Sequence, residues 1–199
     1  MKATFAFLSD SNIHNLVRKL SWDIHQKYRT GVDVCRLPPH ISIKQPFEIS
    51  DLLLLEKYMT EIAGGIEPFE VKLKKLELIP ATIDGLDTGI LWLDVEESEL
   101  LRQTHNRVNQ ELALRIGNVS APFDGVDYHF HMTIAIGGQP IDVYRKIWNE
   151  FSEQLVNLIY TVREMCMFVY DDMEAVNAGY MTCMIMPLGR NSVLDKLPT

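Results

Sequence analysis

The 199-residue sequence has few of the features that mark exported, membrane-spanning or disulfide-bonded proteins. Its cysteines are odd in number and lack the CxxC spacing of metal sites, so we expect reduced thiols and a cytoplasmic protein. They are Cys35, Cys166 and Cys183. The N-terminal apolar run stops at Ser9 and Asp10, too early for a signal peptide, and no run approaches the roughly 18 apolar residues of a membrane span.

Positive charge is also scarce. The chain has 19 Lys and Arg against 27 Asp and Glu, a net charge of −8, and no basic run long enough to form a polybasic patch. We therefore expect binding neither to duplex DNA nor to a membrane surface. A small anionic ligand requires a pocket that supplies positive charge locally. With 47% hydrophobic residues, the composition is that of a globular protein that can bury about 70% of its unfolded surface.

The hydrophobic periodicity predicts the order β-α-β-α-β in the first half and a similar order in the second. Strands are predicted near 3–8, 40–44, 71–79, 90–95, 129–136, 161–170 and 180–187. Helices are predicted near 11–24, 51–63, 100–112 and 140–155. A register slip at Lys74-Lys75 indicates a bulge, Asp84-Gly85 indicates a turn, and an acidic loop joins the last two strands.

Corresponding elements recur at similar intervals. His40, which begins the second predicted strand, precedes the next strand by 31 residues, and His131 precedes the corresponding strand of the second half by 30. This repetition predicts an α+β fold with two pseudo-symmetric βα lobes, whose antiparallel sheets face a central cleft. We expect one bilobal, monomeric domain over 1–199, with lobes of about 1–80 and 88–187 between which strands can be exchanged.

Two histidines stand out among the six. Only His40 and His131 are followed two residues later by a hydroxyl residue, Ser42 and Thr133 respectively. In a strand, residues two apart share a face, so each imidazole lies beside a hydroxyl. In a displacement at phosphorus, one of two imidazoles across a cleft can take a proton from the attacking oxygen, and the other can give a proton to the leaving oxygen. Hydroxyls can donate hydrogen bonds to the phosphate oxygens. This arrangement needs no metal or other cofactor.

The segments His40-Ile41-Ser42-Ile43 and His131-Met132-Thr133-Ile134 resemble the paired His-x-Thr/Ser signature of the 2H phosphoesterase superfamily. That superfamily includes bacterial RNA 2′,5′-ligases and cyclic nucleotide phosphodiesterases. The resemblance implies metal-independent action on a 2′,3′-cyclic phosphate or a 2′-5′ linkage, in a small nucleotide or at an RNA terminus. It also implies that His40 and His131 are the acid and the base and that Ser42 and Thr133 bind phosphate. Which histidine is the base stays open.

Other interpretations remain for three residues and for the function. Lys44 is predicted on the face of the first motif, where it either contacts phosphate or is a solvated strand lysine. The pair His129 and His131 could chelate a metal, but that leaves the duplicated hydroxyls unexplained. The residues that could complete such a site are Asp124, Asp127 and His40. The cleft could also bind nucleotides or RNA ends without turnover.

Overall fold

The structure, a computed structural model, describes residues 1–153, 157–171 and 179–189. Within these ranges the chain forms four α-helices, eight strands and one 3₁₀ turn. In chain order they are β1 Lys2–Leu8, α1 Ser11–Tyr28, the 3₁₀ turn Asp33–Arg36, β2 His40–Glu48, α2 Leu52–Gly64, β3 Phe69–Ile83, β4 Leu86–Val95, α3 Glu99–Ile116, β5 His131–Ile136, α4 Ile141–Phe151, β6 Leu158–Val162, β7 Glu164–Tyr170 and β8 Tyr180–Pro187.

Short polar side chains cap the first three helices. The side chains of Asp10, Asp51 and Ser98 each accept a hydrogen bond from the backbone N–H three residues later. Asp10 is one of the two caps predicted for α1, whereas the cap predicted for α2, Ser50, is wrong because the helix begins one residue later. Among the described residues, none of the helices is long and apolar enough to cross a membrane. Leu155, predicted on the face of α4, and the acidic loop before β8 fall outside the described residues.

The strands form two antiparallel sheets, with the orders β2-β1-β7-β8 and β5-β4-β3-β6. This confirms the predicted α+β class with two antiparallel sheets. Strands of the two halves pair with each other: β3 of the first half lies between β4 and β6, and β7 of the second half lies beside β1. The single strand predicted over 161–170 is therefore two strands, β6 and β7, which belong to different sheets. Strand β2 continues through Pro46, which a sheet edge tolerates because the missing N–H has no partner there.

Two local predictions in the second sheet are confirmed. The pairing of β3 with β4 shifts by one residue between Leu73 and Leu76, which places the bulge at Lys74-Lys75. The turn between these strands has positive φ at Asp84 (50°) and Gly85 (77°), as a tight hairpin requires. The longest strand pair of the molecule thus follows from local sequence signals.

The two halves interlock around one hydrophobic core, which includes residues from both sheets and all four helices. Helix α1 of the first half contacts β5 of the second, and α3 of the second half contacts β2 of the first. Strands β2 and β5, which carry the two motifs, also contact each other. Each motif strand is therefore held in place by the opposite half of the chain.

Glycines allow the backbones of the two halves to touch. The Gly31 N–H donates a hydrogen bond to the Gly137 carbonyl at 3.1 Å. A Cβ atom at Gly31 would lie 2.6 Å from the Ile136 carbonyl oxygen, and one at Gly138 would lie 2.6 Å from the Gly31 nitrogen. Only glycine permits this approach, which fixes the connection between α1 and β2 against the end of β5.

A bulge in β2 corrects the expectation for Lys44. Ser42 pairs with Ala6 and Lys44 with Phe5, so Ile43 is an extra residue and the alternation of faces reverses after it. Lys44 therefore points into the core rather than sharing a face with His40. Its side chain is completely buried and forms an ion pair with Asp124, which favours a structural role over the predicted contact with phosphate.

Donors from the second half hold this bulge. Tyr128 Oη donates to the Ser42 carbonyl at 2.9 Å, and the His105 Nδ1 atom lies 2.9 Å from the Ile43 carbonyl. The imidazole of His105 stacks on Tyr128, with 4.4 Å between the ring centroids. Burial lowers the pKa of His105, which keeps the ring neutral, with a hydrogen on Nδ1 and with Nε2 accepting from the Gly125 N–H at 3.3 Å.

The Lys44–Asp124 pair predicts an asymmetric effect of substitution on stability. Asp124→Asn leaves a fully buried ammonium without its counter-charge, and we expect the free energy of unfolding to fall by about 3–5 kcal/mol. Lys44→Met should cost less, because the Asp124 side chain is 11% exposed and also accepts from the Gln45 N–H. Urea unfolding of the two variants tests this. Losses below about 1 kcal/mol in both would mean that the pair behaves like a surface ion pair.

Candidate active site

His40 is the first residue of β2, and its ring is oriented by a local hydrogen bond. Its Nδ1 atom lies 2.8 Å from the carbonyl oxygen of Pro38. A carbonyl oxygen only accepts, so Nδ1 carries the hydrogen and the Nε2 atom of the neutral ring has a free lone pair. The Phe168 ring packs against the imidazole in a T-shaped arrangement, with centroids 4.7 Å apart.

His131 repeats this arrangement in the second half. It is the first residue of β5, which begins two residues later than the sequence predicts, and its Nδ1 atom lies 2.8 Å from the His129 carbonyl oxygen. Trp92 stacks on its ring at a centroid distance of 4.3 Å. In both motifs the carbonyl two residues before the histidine therefore selects the same tautomer and leaves Nε2 as the proton-accepting atom.

The structure brings together the histidine of one motif and the hydroxyl of the other. His40 and Thr133 line the same cavity of about 210 Å³, between α1, the 3₁₀ turn and β5. Ser42 and Thr133 are both half-buried, each two residues along its strand from its histidine. In the sheets Ser42 pairs with Ala6 and Thr133 with Trp92, at equivalent positions of the repeat.

Burial controls the charge of both motif histidines. It lowers the pKa of His40 to about 4, against the opposing hydrogen bond to Pro38, and the charge of Arg18, or of His131 when that ring is protonated, lowers it further. Burial also lowers the pKa of His131, against the opposing hydrogen bond to the His129 carbonyl, and a charge on the His129 side chain lowers it further. Both rings are consequently neutral at pH 7 in the free protein.

The surroundings of the two histidines differ in polarity. His40 pairs across the sheet with Leu8, and a buried apolar cluster of Ala6, Leu8, Cys166 and Phe168 covers that side. His131 pairs instead with Asp94, whose side chain is only 4% exposed. The Asp94 carboxylate lies 2.6 Å from Lys74 Nζ and 3.0 Å from His129 Nε2. One half of the site is therefore apolar and the other contains a network of charges.

The metal-chelating alternative does not assemble as the sequence suggested. The Nδ1 atom of His131 is bonded to the His129 carbonyl, and Asp124 is paired with Lys44. Within the described residues, His129 instead lies with Glu77 and Asp94, whose ligand atoms are all within 4.8 Å of one another. Lysine ammonium groups occupy both of these carboxylates, from Lys74 at 2.6 Å and Lys75 at 3.2 Å. The arrangement is that of an ion-pair network.

Sequence reasoning missed Arg18. This residue of α1 lines the same cavity as His40 and Thr133, and its guanidinium donates hydrogen bonds to the carbonyls of Val34 and Leu37. Its positive charge lies in the wall of this cavity. The only signal in the sequence was its position at the edge of the apolar face of α1, next to the buried Val17.

Comparison with known sequences identifies a family. The profile of the 2′-5′ RNA ligase superfamily matches residues 10–174. A protein of Geobacillus sp. (strain WCH70), provisionally named a phosphoesterase, is 26% identical over 145 residues, which are 70% of this chain and 76% of the relative.

Solved structures with a similar fold are known. The protein TT0787 of Thermus thermophilus superposes with a TM-score of 0.65 at 10% identity, covering 95% of this chain and 98% of that protein. LigT of E. coli, solved in complex with 3′-AMP, gives a TM-score of 0.54 at 12% identity and covers the same shares. At these identities the likeness concerns the fold alone.

The hydrogen bonds of the histidines predict their tautomers. In ¹⁵N spectra of the imidazoles at pH 8, we expect His40 and His131 to carry hydrogen on Nδ1. His129, whose Nε2 atom faces the Asp94 carboxylate, should carry it on Nε2 and serves as the internal reference. Nε2–H signals from both motif histidines would contradict the arrangement.

Proposed function

Because this chain belongs to the 2′-5′ RNA ligase superfamily, we propose that it is a metal-independent phosphodiesterase that hydrolyses 2′,3′-cyclic phosphates or 2′-5′ linkages of nucleotides or RNA ends. The observation that carries the proposal is the repeated geometry of the motifs. Two histidines begin equivalent strands, each with Nδ1 bonded to the carbonyl two residues earlier and a hydroxyl two residues later. Their two Nε2 atoms are the groups that can exchange protons with a bound phosphodiester.

The difference in environment assigns different roles to the two histidines in this proposal. His40, in the apolar half with a pKa of about 4, stays neutral and takes a proton from the attacking water. His131, beside Asp94, gives a proton to the leaving ribose oxygen. The water oxygen forms a bond to phosphorus, the bond to the leaving oxygen breaks, and the product is a phosphate monoester. Ser42 and Thr133 donate hydrogen bonds to the phosphate oxygens as charge accumulates there.

The size and lining of the site support the proposed substrate class. The cavity of about 210 Å³ beside His40 is small, and several apolar side chains and Arg18 line it. It suits one phosphorylated nucleoside or the end of an RNA chain better than a duplex, in agreement with the net charge of −8. LigT, a protein of the same fold, was solved in complex with 3′-AMP and with NADP⁺, which supports a nucleotide ligand.

Substitution of each motif histidine tests the proposal. We expect His40→Ala and His131→Ala each to lower kcat for 2′,3′-cyclic nucleotides by about 10²–10⁴-fold, because each removes a positioned proton carrier. His129→Ala is the matched control and should retain most of the activity. Activity of the wild-type protein should persist in EDTA.

The other outcomes of this experiment discriminate between the alternatives. Tight nucleotide binding without product would identify a binding protein. Loss of turnover in EDTA would favour a metal-dependent reaction. Equal loss in the His129 variant would mean that the charged half of the site, rather than the motif pair, performs the chemistry.

The pH dependence of kcat/KM should follow the two histidines of the free enzyme. Protonation of the base His40 removes activity below a pH of about 4. Deprotonation of the acid His131 removes activity on the alkaline side. Because burial lowers the pKa of His131, this loss should begin below the ordinary imidazole pKa of 6.5. In residual-activity profiles, His40→Gln should abolish the acid limb and His131→Gln the alkaline limb. The opposite pattern would reverse the two roles.

A further inference from the structure

The segment that leads into each motif strand is held by its carbonyl groups. Before His40, the Leu37 carbonyl accepts from Arg18, the Pro38 carbonyl from His40 itself, and the Pro39 carbonyl from the Ser9 N–H at 3.2 Å. The two prolines have no N–H to donate, so this segment cannot be fixed by donors of its own there. Its position depends on donors from α1 and from the end of β1.

The same three contacts occur before His131. The Tyr128 carbonyl accepts from Arg102 at 2.6 Å, the His129 carbonyl from His131, and the Phe130 carbonyl from the Val95 N–H at 3.2 Å. Arg18 and Arg102 each donate a second hydrogen bond, and the acceptors of these second bonds are also at equivalent positions. Each guanidinium reaches the carbonyls three and six residues before its histidine, which are Leu37 and Val34 for Arg18, and Tyr128 and Gly125 for Arg102.

We propose that Arg18 and Arg102 are paired positioning residues, each of which holds the segment whose carbonyl orients one motif histidine and fixes its tautomer. Arg18 acts on His40 and Arg102 on His131. The same geometry occurs independently in the two halves, although the intervening loops differ in length and sequence. The consequence for kcat rests on the proposed function, whereas the effect on the imidazoles does not.

A guanidinium is suited to this task because its planar fork can donate to two carbonyls at once, which an ammonium group cannot do with the same rigidity. Arg102 is further fixed by two hydrogen bonds to Glu97, at 2.6 and 2.8 Å, and its side chain is only 20% exposed. Arg18 is half-buried in the wall of the cavity. Both arginines are therefore held rigidly enough to transmit order to the carbonyls that they bind.

The two arginines differ in their electrostatic effect. Arg18 is the permanent charge that acts on His40, and His131 acts on it only when protonated, since β1 presents Leu8 there and β7 presents Phe168 and the thiol of Cys166. Burial raises the pKa of that thiol, so it is neutral. Removing the charge of Arg18 should therefore raise the pKa of His40. No such effect is expected of Arg102 on His131, near which lie His129 and Asp94.

The test compares Arg18→Gln and Arg102→Gln by ¹⁵N spectra of the imidazoles, with peaks assigned from His40→Gln and His131→Gln. We expect Arg18→Gln to give mixed tautomers at His40 and to raise its pKa, with His131 unchanged. Arg102→Gln should give mixed tautomers at His131 only. For 2′,3′-cyclic nucleotides, kcat should fall about 10–100-fold in each variant with little change in KM, because the misplaced group is catalytic.

Matched controls separate positioning from general effects of charge or stability. Lys19→Gln on α1 and Arg107→Gln on α3 remove one positive charge from an exposed position of the same helices and should leave both histidines unchanged. Arg18→Lys should preserve the pKa of His40 but not its single tautomer, and it also serves if Arg18→Gln does not fold. Wild-type tautomers and titration in both Arg18→Gln and Arg102→Gln, or in Arg18→Lys and Arg102→Gln, would overturn the proposal. If the wild-type protein shows no turnover but Arg18→Gln and Arg102→Gln still alter the histidine tautomers, the positioning role stands. Only the proposed function is then refuted.

Discussion

The hydrogen bond from Nδ1 of each motif histidine to the carbonyl two residues earlier is the constraint on which the rest of the site depends. It is short-range in sequence, but it orients the ring only if the carbonyl is fixed. That requirement explains why the segments before His40 and His131 are bound by donors from distant elements. The catalytic proposal thus depends on ordinary backbone carbonyls, each satisfied by a named donor.

The exchange of elements between the halves makes this constraint cooperative. Each motif strand packs against the first helix of the other half. The donors to the β2 bulge, His105 and Tyr128, lie 62 and 86 positions after the carbonyls that they bind. A change in one half is therefore transmitted to the motif of the other. The buried Lys44–Asp124 pair belongs to the same connection, which gives a lysine on a motif strand a structural role.

Much of this arrangement is local and could be predicted. The order of elements, the bulge at Lys74-Lys75 and the paired motifs follow from periodicity and spacing within short segments. The bulge at Ile43 could not be predicted, because the donors that hold it are His105 and Tyr128 from the other half. Arg18 was missed for the same reason, since its partners become neighbours only when the chain folds. The predicted roles of the motif residues remain predictions.

The symmetric frame holds two chemically different histidines, and the difference matters only when an anion is bound. In the free protein burial keeps both rings neutral, and a neutral His131 cannot act as an acid. A phosphodiester carries a negative charge, which favours the protonated form of a nearby imidazole. We expect His131, which is stacked on Trp92 in the charged half of the site, to accept that proton more readily than His40, which lies between Leu8 and Phe168. On the proposed function, the substrate itself therefore creates the acid form that its own cleavage requires.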